Sequence, residues 1–476
     1  MSKVADLYRE QEAVEETFRD HISTVDKAGK RVWVYPKKPK GKFTNYRQLV
    51  SYFLLVFLFA GPFIKVDGQP FFLFNVLERK FILFGQAFWP QDFFLFVIGM
   101  IVMVVFVILF TVAFGRIFCG WICPQTIFME GVFRRIEYWI EGDSSAQRKL
   151  DKMPWTKEKI RKKTLKHFLF ICISTLIMHT FMAYLIGVDQ THLIIAEGPS
   201  EHMGAFVAMV VLTALFYGVF SKMREQVCTT ICPYGRLQGV LLDRQSIVVA
   251  YDHRRGENRS RFKKGEDREA VGKGDCIDCK LCTYVCPTGI DIRNGTQLEC
   301  INCTACMDAC DAIMNRIGKP GGLVRYASEQ NIADKKAFTF TTRMKAYSTV
   351  LTILVGVLVS LLIIRSDFET IVLRTPGMMF QKREDGFITN LYQLKMVNKT
   401  NEPIEVKLRL LQPEGEIEMI GKGELELMQQ GVGEGAFFVA IDPENLSKMS
   451  SKISIGIYKG DELVEKVKTK FLGPAN

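Results

Sequence analysis

Eight of the 13 cysteines lie in one short segment, and they form two copies of a single spacing. The first copy runs from Cys276 to Cys286 and the second from Cys300 to Cys310, each as C-x2-C-x2-C-x3-C. Thiols two residues apart can wrap around one metal centre, while a fourth thiol further along can reach a neighbouring centre. The segment is therefore restricted to a fold built around bound metal.

This spacing is typical of bacterial ferredoxins that bind two [4Fe–4S] clusters. The predicted ligands are Cys276, Cys279, Cys282 and Cys310 for cluster 1 and Cys300, Cys303, Cys306 and Cys286 for cluster 2. Zinc also takes C-x2-C pairs, but two complete runs of four cysteines 14 residues apart fit zinc poorly. Asp311 stands where the first copy has Pro287, and this difference removes no ligand. The sequence thus predicts a chain that carries electrons.

Five stretches without Lys, Arg, Asp or Glu are long enough, or nearly so, to cross a bilayer. They are Gln48–Ile64, Phe93–Phe114, Phe168–Val188, Met203–Ser221 and Ala346–Ile364. Because all five have basic flanks and 48% of the chain is hydrophobic, five buried core helices are a poor alternative. A further apolar region, Phe71–Trp89, is interrupted by charged residues at 78–80, which favours a segment in the membrane interface.

Lys and Arg residues, which favour the cytoplasmic side of membrane spans, are unevenly distributed. They number eleven in residues 1–47, twelve in 115–166 and twenty in 222–343, against three in 65–92 and none in 189–202. The N-terminal tail and the cysteine runs are therefore predicted in the cytoplasm, and the chain after Arg365 outside. This bias explains the net charge of +11, so nucleic-acid binding is not expected. No cleavable signal peptide is expected before the first span.

Two matched C-x3-C-P motifs lie where the second and fourth spans end. Their thiols are Cys119 and Cys123 in the first motif and Cys228 and Cys232 in the second. Residues four apart share a helix face, and the proline that follows disfavours helix at the second cysteine. Cysteines in membrane helices are often packing residues, but a thiol pair at a helix end can bind a soft metal or undergo oxidation. The match between the motifs favours redox or metal chemistry.

Four further side chains in or beside the spans are weaker candidates. Cys172 would be a fifth thiol in the third span, and His179 would be a haem or copper ligand near mid-membrane. His192 and His202 flank a short outer loop that would capture metal. For all four, packing or hydrogen bonding is the ordinary interpretation.

From about Phe387 onward, apolar and polar residues alternate in short stretches separated by Gly, Pro, Asn and Asp. These stretches are Tyr392–Val397, Ile404–Leu410, Ile417–Ile420, Gly435–Ile441, Ile453–Tyr458 and Val464–Phe471. The pattern is typical of an all-β sandwich of about seven strands, and an immunoglobulin-like interaction domain is the simplest interpretation.

The predicted fold class is a multi-domain membrane protein. An α-helical transmembrane bundle of about five spans carries an inserted α+β bacterial-ferredoxin-like domain and a C-terminal all-β immunoglobulin-like sandwich. The predicted domains are a basic cytoplasmic tail at 1–47, a transmembrane region at 48–221, a ferredoxin-type domain at 222–344, a fifth transmembrane helix at 345–364 and a periplasmic β domain at 365–476.

Over nearly its full length the chain resembles the FixG/RdxA/CcoG family of cytochrome c oxidase accessory proteins. The resemblance rests on the basic stretch Gly29–Pro36, both C-x3-C-P motifs, the paired ferredoxin runs and the terminal β domain, in that order. It implies a multi-pass protein of the bacterial inner membrane that is needed to assemble haem–copper oxidases of the cbb type. It further implies reduction of Cu(II) to Cu(I), with Cys119, Cys123, Cys228 and Cys232 as candidates for copper contact.

Three functions remain open at this stage. The first is a membrane cupric reductase, in which an unidentified cytoplasmic donor feeds two [4Fe–4S] clusters and copper is the substrate or a bound ion. The second is a quinol-linked electron-transfer protein that feeds a periplasmic reductase, which a bound flavin or haem would favour. The third is a non-enzymatic assembly scaffold. Expected partners are membrane lipid and copper chaperones or oxidase assembly proteins, and a homodimer is compatible with the sequence.

Overall fold

The computed structural model describes residues 24–25, 28–66, 68–76, 80–335, 340–377, 379–400, 402–421, 425–446 and 448–474. Most of the predicted basic tail before residue 28 and the charged pair Glu78–Arg79 lie outside the described residues.

Helices form most of the chain up to residue 364. In chain order they are α1 (Lys42–Ala60), α2 (Phe93–Phe114), α3 (Ile117–Trp121), α4 (Pro124–Thr126), α5 (Arg134–Ile140), α6 (Ser144–Lys152), α7 (Lys157–Ile186), α8 (Val188–Glu197), α9 (Met203–Gly218), α10 (Pro233–Leu241), α11 (His253–Gly256), α12 (Leu281–Tyr284), α13 (Ala305–Arg316), α14 (Glu329–Asp334) and α15 (Thr342–Ile364). Three π-helical segments interrupt them at Ile127–Phe133, Val219–Met223 and Val227–Ile231. The last of these carries one cysteine of the second C-x3-C-P motif.

Five helical segments among the described residues are long and apolar enough to cross a membrane, as the sequence predicts. They are Lys42–Phe63, Phe93–Phe114, Lys157–Ile186, Met203–Met223 and Thr342–Ile364. The first and third begin well before the apolar stretches that identify them. For α7 the reason is local, because Thr156 caps the helix by accepting a hydrogen bond from the Lys159 amide at 3.3 Å. Its charged first turns extend the helix beyond the apolar region.

Strands are concentrated in the C-terminal part of the chain. In chain order they are β1 (Lys65–Val66), β2 (Gln69–Pro70), β3 (Phe72–Asn75), β4 (Lys80–Leu83), β5 (Gln86–Phe88), β6 (Val248–Tyr251), β7 (Val324–Ala327), β8 (Phe368–Arg374), β9 (Gln381–Lys382), β10 (Ile388–Asn398), β11 (Ile404–Gln412), β12 (Gly415–Met419), β13 (Leu425–Leu427), β14 (Val432–Ile441), β15 (Ser450–Lys459) and β16 (Glu462–Leu472).

One compact unit consists of residues 64–96 and 357–476. Its two main sheets are antiparallel, with strand orders β12-β14-β10-β8 and β13-β11-β15-β16, and β9 extends the first sheet beside β10. Tyr392, Phe437, Ile455 and Phe471 are fully buried in its core. Five of the six alternating stretches lie within these strands, and Ile417–Ile420 extends one residue beyond β12, so the predicted immunoglobulin-like sandwich is confirmed.

The apolar region Phe71–Trp89, which the sequence predicts at the membrane interface, forms the three-stranded antiparallel sheet β3-β4-β5 within the same unit as the sandwich. Asp92, which follows it, is buried and accepts hydrogen bonds from Arg365 Nη2 at 2.7 Å and Lys399 Nζ at 2.8 Å. The strands have only three or four residues each, too few to show clear alternation in the sequence, and the interfacial position stays a prediction.

The other compact unit consists of residues 1–63 and 97–356. An aromatic core of Phe128, Phe133, Phe170 and Phe220 joins α7 to the π-helical segments. In the ferredoxin-type segment, β6 pairs antiparallel with β7, and α12 packs against α13. This arrangement is the α+β organisation that the cysteine runs predict.

The ferredoxin-type segment is attached directly to the first long helix. The Asp308 carboxylate on α13 accepts hydrogen bonds from the Phe43 amide at 3.0 Å and from the Thr44 amide at 2.7 Å. A carboxylate on the free amides of a helix N-terminus caps that helix and complements its dipole. One turn further along, Arg47 donates to the Cys303 carbonyl at 2.8 Å. The start of α1 is therefore fixed to the loop of the second cysteine run.

Candidate metal centres

The first set of ferredoxin cysteines lines one cavity. Cys276, Cys279 and Cys282 come from the first run, and Cys310 reaches the same cavity from α13. Tyr251 and Arg293 complete the wall.

The second set lines a neighbouring cavity, with Cys300, Cys303 and Cys306 from the second run and Cys286 from the first. Cys282 lies between the two cavities and contributes to both. The structure therefore groups the eight thiols in the two crossed sets that the spacing predicts.

Both cysteine runs have the same backbone conformation. In the first run, Asp278 and Lys280 have φ values of 51° and 56°, and in the second run Asn302 and Thr304 have 54° and 64°. These residues occupy equivalent positions on either side of the second cysteine. A left-handed backbone conformation before and after that cysteine bends both loops in the same way. The two runs are therefore repeats in structure as well as in sequence.

The donor sets fit cubane clusters. Each iron of a cubane takes its own thiolate, so the four cysteines of a cluster lie around it rather than at a common point. Burial raises the pKa of Cys282 to about 11 and that of Cys300 to about 12, so these thiols need bound iron to become thiolates.

The two C-x3-C-P motifs have matching local structure. Cys119 lies in α3 and Cys228 in the last π-helical segment. The second cysteine of each motif, four residues further along, has an extended backbone. Pro124 and Pro233 are the first residues of α4 and α10. Proline is tolerated at the first helical position but excludes helix at the residue before it. The predicted break at the second cysteine is therefore present in both motifs.

The four motif thiols lie together, and we call them the four-thiol site: Cys119, Cys123, Cys228 and Cys232. Burial and then the other three thiols raise the pKa of Cys228 to about 12, and all six pairs in the set interact electrostatically. Gln238 is fully buried and donates from Nε2 to Cys119 Sγ at 3.4 Å. The repeat in the sequence thus becomes one cluster of thiols in space.

This site lies against the loop of the second cysteine run. A Cβ atom on Gly120 would lie 2.5 Å from the Ile301 carbonyl oxygen, so only glycine allows this approach. Cys119 and Cys228 pack in one apolar cluster with Cys303 and Cys306. The geometry brings the four-thiol site and the predicted site of cluster 2 into direct contact.

Arg116 connects the same elements. Its guanidinium donates short hydrogen bonds to the carbonyls of Leu298 and Gly235. Its charge also acts on Cys119, Cys228 and Cys300. No sequence motif identifies Arg116, Gly120 or Gln238, although Arg116 and Gly120 lie close to Cys119 and Gln238 follows Cys232 by six residues.

The weaker candidates lie elsewhere in the same unit. Cys172 is exposed on α7 and belongs to neither the four-thiol site nor the two cavities. His192 is exposed on α8. His179 and His202 line a separate cavity between α7, α8 and α9. The structure therefore does not bring these four side chains to the thiol sites.

Three family models match the chain. A 4Fe–4S dicluster domain matches residues 223–329, and a 4Fe–4S binding domain matches residues 96–146. The immunoglobulin-like fold at the C-terminus of FixG matches residues 358–474. The first match contains both cysteine runs with Cys228 and Cys232, and the second contains Cys119 and Cys123. The chain therefore carries 4Fe–4S binding domains, as the cysteine spacing predicts.

Relatives match along most of the chain. Nitrogen fixation protein FixG of Rhizobium meliloti is 32% identical over 90% of this chain and 87% of its own length. Protein RdxA of Cereibacter sphaeroides is 36% identical over 79% of this chain and 82% of its own length. Protein RdxB of the same organism is 35% identical over 78% of this chain and 80% of its own length. The chain therefore belongs to the FixG family of membrane-associated iron–sulfur electron transport proteins.

Proposed function

We propose that this protein is a membrane cupric reductase, which reduces Cu(II) to Cu(I) at the four-thiol site during assembly of a cbb-type cytochrome c oxidase. The observation that carries this proposal is the packing of Cys119 and Cys228 against the apolar cluster that contains Ile301 and Cys303. A copper ion bound to these thiols would lie beside the second cysteine run. No further domain or mobile electron carrier is then needed between the cluster and the copper.

The chemistry of the site suits this reaction. The [4Fe–4S] clusters, when bound, supply single electrons. One electron converts one Cu(II) to Cu(I), and thiolates are soft ligands that prefer Cu(I). The four-thiol site therefore binds the product form of copper more tightly than the substrate form, which makes the reduction more favourable.

Neighbouring side chains keep the site in place. Gln238 donates to Cys119, and Arg116 connects the second motif to the loop before Cys300 through the carbonyls of Gly235 and Leu298. The positive charge of Arg116 also favours thiolate over thiol, against the effect of burial on the pKa of Cys119. We assign Arg116 and Gln238 as positioning residues.

We further propose that the protein is in the bacterial inner membrane, with the ferredoxin-type segment in the cytoplasm and the immunoglobulin-like domain in the periplasm. The distribution of Lys and Arg supports this orientation, since long basic segments alternate with a basic-poor loop at 189–202. Copper chaperones or oxidase assembly proteins would then contact the β domain.

An anaerobic assay of the full-length protein in detergent tests this function. The protein is reduced, freed of reductant and mixed with Cu(II) and a Cu(I)-specific chromophore. We expect Cu(I) to form as the cluster absorbance returns to that of the oxidised protein. Replacing all four motif cysteines by Ser should abolish Cu(I) formation, and Cys172→Ser, a thiol outside the site, should not change it.

Iron content checks the assignment of the four thiols. Two [4Fe–4S] clusters give about eight iron atoms per chain, in wild type and in the four-serine variant alike. About twelve iron atoms in wild type and eight in the variant would assign a third cluster to these thiols and contradict the copper site. Reduced clusters that persist in the presence of Cu(II) would contradict the reductase and favour the assembly scaffold.

A further inference from the structure

A large cavity lies between α7, α8 and α9, away from the thiol sites. Its volume is about 570 Å³, within the range of pockets that bind small molecules or cofactors. The wall is mostly apolar, with Ile171, Met182 and Phe206 among its residues. It also contains polar groups at separated positions, His202 at one end and Tyr217 at the other, with His179 along α7. Such a wall suits an apolar molecule with a few polar atoms.

The cavity is open rather than enclosed. Ile171, Phe206 and Val210 line it and are each about half exposed. They belong to α7 and α9, two of the helices long and apolar enough to cross a membrane. An exposed apolar face on such helices meets lipid acyl chains, so a ligand dissolved in the bilayer can enter directly.

His179 is placed to accept a hydrogen bond from the ligand. Its Nδ1 lies 2.8 Å from the Thr175 carbonyl oxygen. A carbonyl only accepts, so Nδ1 carries the proton and Nε2 of the neutral ring is left as an acceptor. Placing an imidazole in an apolar span is costly, which makes a polar ring there a sign of function.

The inner end of the cavity leads into buried acid–base groups. The Tyr217 hydroxyl lies 2.8 Å from His167 Nδ1. His167 lies on α7, just before the residues of that helix that line the cavity. Beside it, Lys166 pairs with Glu141 at 2.8 Å, and Glu141 pairs with Lys163 at 3.0 Å.

Lys163 in turn pairs with Asp151 at 2.6 Å, and the Asp151 side chain is 31% exposed. The two lysines and Glu141 lie close enough to act on His167, and Asp151 beside them is partly exposed. A lipid acyl chain in the cavity would need neither these groups nor the imidazole, whereas a ligand that releases protons would use both.

We propose that this cavity binds an isoprenoid quinol, which is the electron donor of the protein. Oxidation of one quinol to the quinone releases two electrons and two protons. The protons pass to His179 and to the Tyr217–His167 pair, and the electrons pass singly to the iron–sulfur clusters. Two Cu(II) ions are then reduced per quinol. The last step alone rests on the proposed function, since the quinol site requires only that the clusters accept electrons.

The position of α9 supports this path. The helix that supplies Phe206 and Tyr217 continues through Val219–Met223, and a short turn at Arg224 then leads to the π-helical segment that carries Cys228. The donor cavity and the four-thiol site are therefore neighbours along the chain.

The test uses the full-length protein with oxidised clusters, a short-chain ubiquinol or menaquinol as the probe, and strict exclusion of oxygen. We expect the quinol to reduce the clusters of wild type with saturable kinetics. His179→Phe should slow this reaction by about 10²-fold, the usual loss when a positioned base is removed. His192→Phe makes the same change on the exposed face of α8 and should have no effect. Dithionite should reduce wild type and both variants equally, which shows intact clusters.

Two results would overturn the proposal. One is quinol reduction at the wild-type rate in both His179→Phe and Tyr217→Phe. The other is a wild type that dithionite reduces but that quinol leaves oxidised, even with Cu(II) present as the final acceptor. A Soret absorption band that disappears in His179→Phe would instead assign a haem to the cavity.

The quinol and copper steps are measured separately. Dithionite-reduced protein mixed with Cu(II) reports the copper step without quinol, and quinol with oxidised protein reports the donor step without copper. If quinol does not reduce the oxidised protein while dithionite-reduced protein does reduce Cu(II), only the quinol site is refuted. If quinol reduces the clusters but the reduced protein does not reduce Cu(II), only the cupric reductase is refuted.

Discussion

Gly120 offers the sharpest structural test of the contact between the four-thiol site and the second cysteine run. In Gly120→Ala, the new methyl group would lie 2.5 Å from the Ile301 carbonyl oxygen and 2.7 Å from that of Asn302. Both are backbone atoms of the loop that bears Cys300 and Cys303, so the loop or α3 must move.

The magnitude follows from two opposing effects. Gly120 lies within α3, where alanine would ordinarily stabilise the helix by about 0.5–1 kcal/mol. Overpacking against a fixed backbone costs about 1–3 kcal/mol. The net result is a destabilised contact, and we expect cluster oxidation by Cu(II) to slow because the thiols and the loop move apart.

The assay is stopped-flow recording of cluster absorbance after reduced protein is mixed with Cu(II). The matched control is Gly131→Ala, because the added methyl group there would meet Ser51 Cβ at 3.5 Å, an ordinary contact. Gly131→Ala should behave as wild type. Equal oxidation rates in Gly120→Ala and Gly131→Ala, with equal iron content, would refute the proposed route from cluster 2 to the four-thiol site.

Three further predictions concern the supports of the two units. Asp308→Ala removes the cap of α1 and should lower the unfolding free energy by at least about 1 kcal/mol, measured by denaturant titration, whereas a cost near zero would argue against capping. Lys399→Met leaves Asp92 with one cation fewer and should cost about 1.5–3 kcal/mol, the range for a hydrogen bond to a charged group, because Arg365 still pairs with the carboxylate. Burial raises the pKa of Asp92, but Lys399 and Arg365 lower it further, so the net pKa is below the ordinary value. The stability from this carboxylate is therefore present above pH of about 4 and lost as the pH falls through the lowered pKa, and an acid titration of Asp92→Asn should lack that loss.

Much of this architecture is readable from local patterns. The ferredoxin runs are recognisable because their ligands are separated by two or three residues, and β10 and β11 contain alternating stretches of six and seven residues. The sequence does not reveal the short sheet β3-β4-β5, because a strand as short as Phe72–Asn75 cannot show a clear alternation of apolar and polar residues. The start of α1 at Lys42 also has no local signal, because the carboxylate that caps it belongs to Asp308, far along the chain.

The composition of the thiol site is a tertiary property. The C-x3-C-P repeat identifies Cys119 and Cys228 as similar, but only folding shows that they share one site and pack against the cluster that contains Cys303. Arg116 and Gln238 carry no motif of their own, and their roles depend on carbonyls and a sulfur that other segments supply. The cavity between α7, α8 and α9 is likewise formed only where three helices meet, and no single helix sequence marks it.

The most direct measurement of the central claim is a single-turnover electron count. Fully reduced protein holding two clusters, freed of reductant, is mixed anaerobically with excess Cu(II), and Cu(I) is counted against cluster oxidation. The account predicts about two Cu(I) per chain, one for each [4Fe–4S] cluster, in wild type and Cys172→Ser. It predicts almost none on the same time scale when Cys119, Cys123, Cys228 and Cys232 are replaced by Ser. Equal Cu(I) yields with and without these four thiols would contradict it.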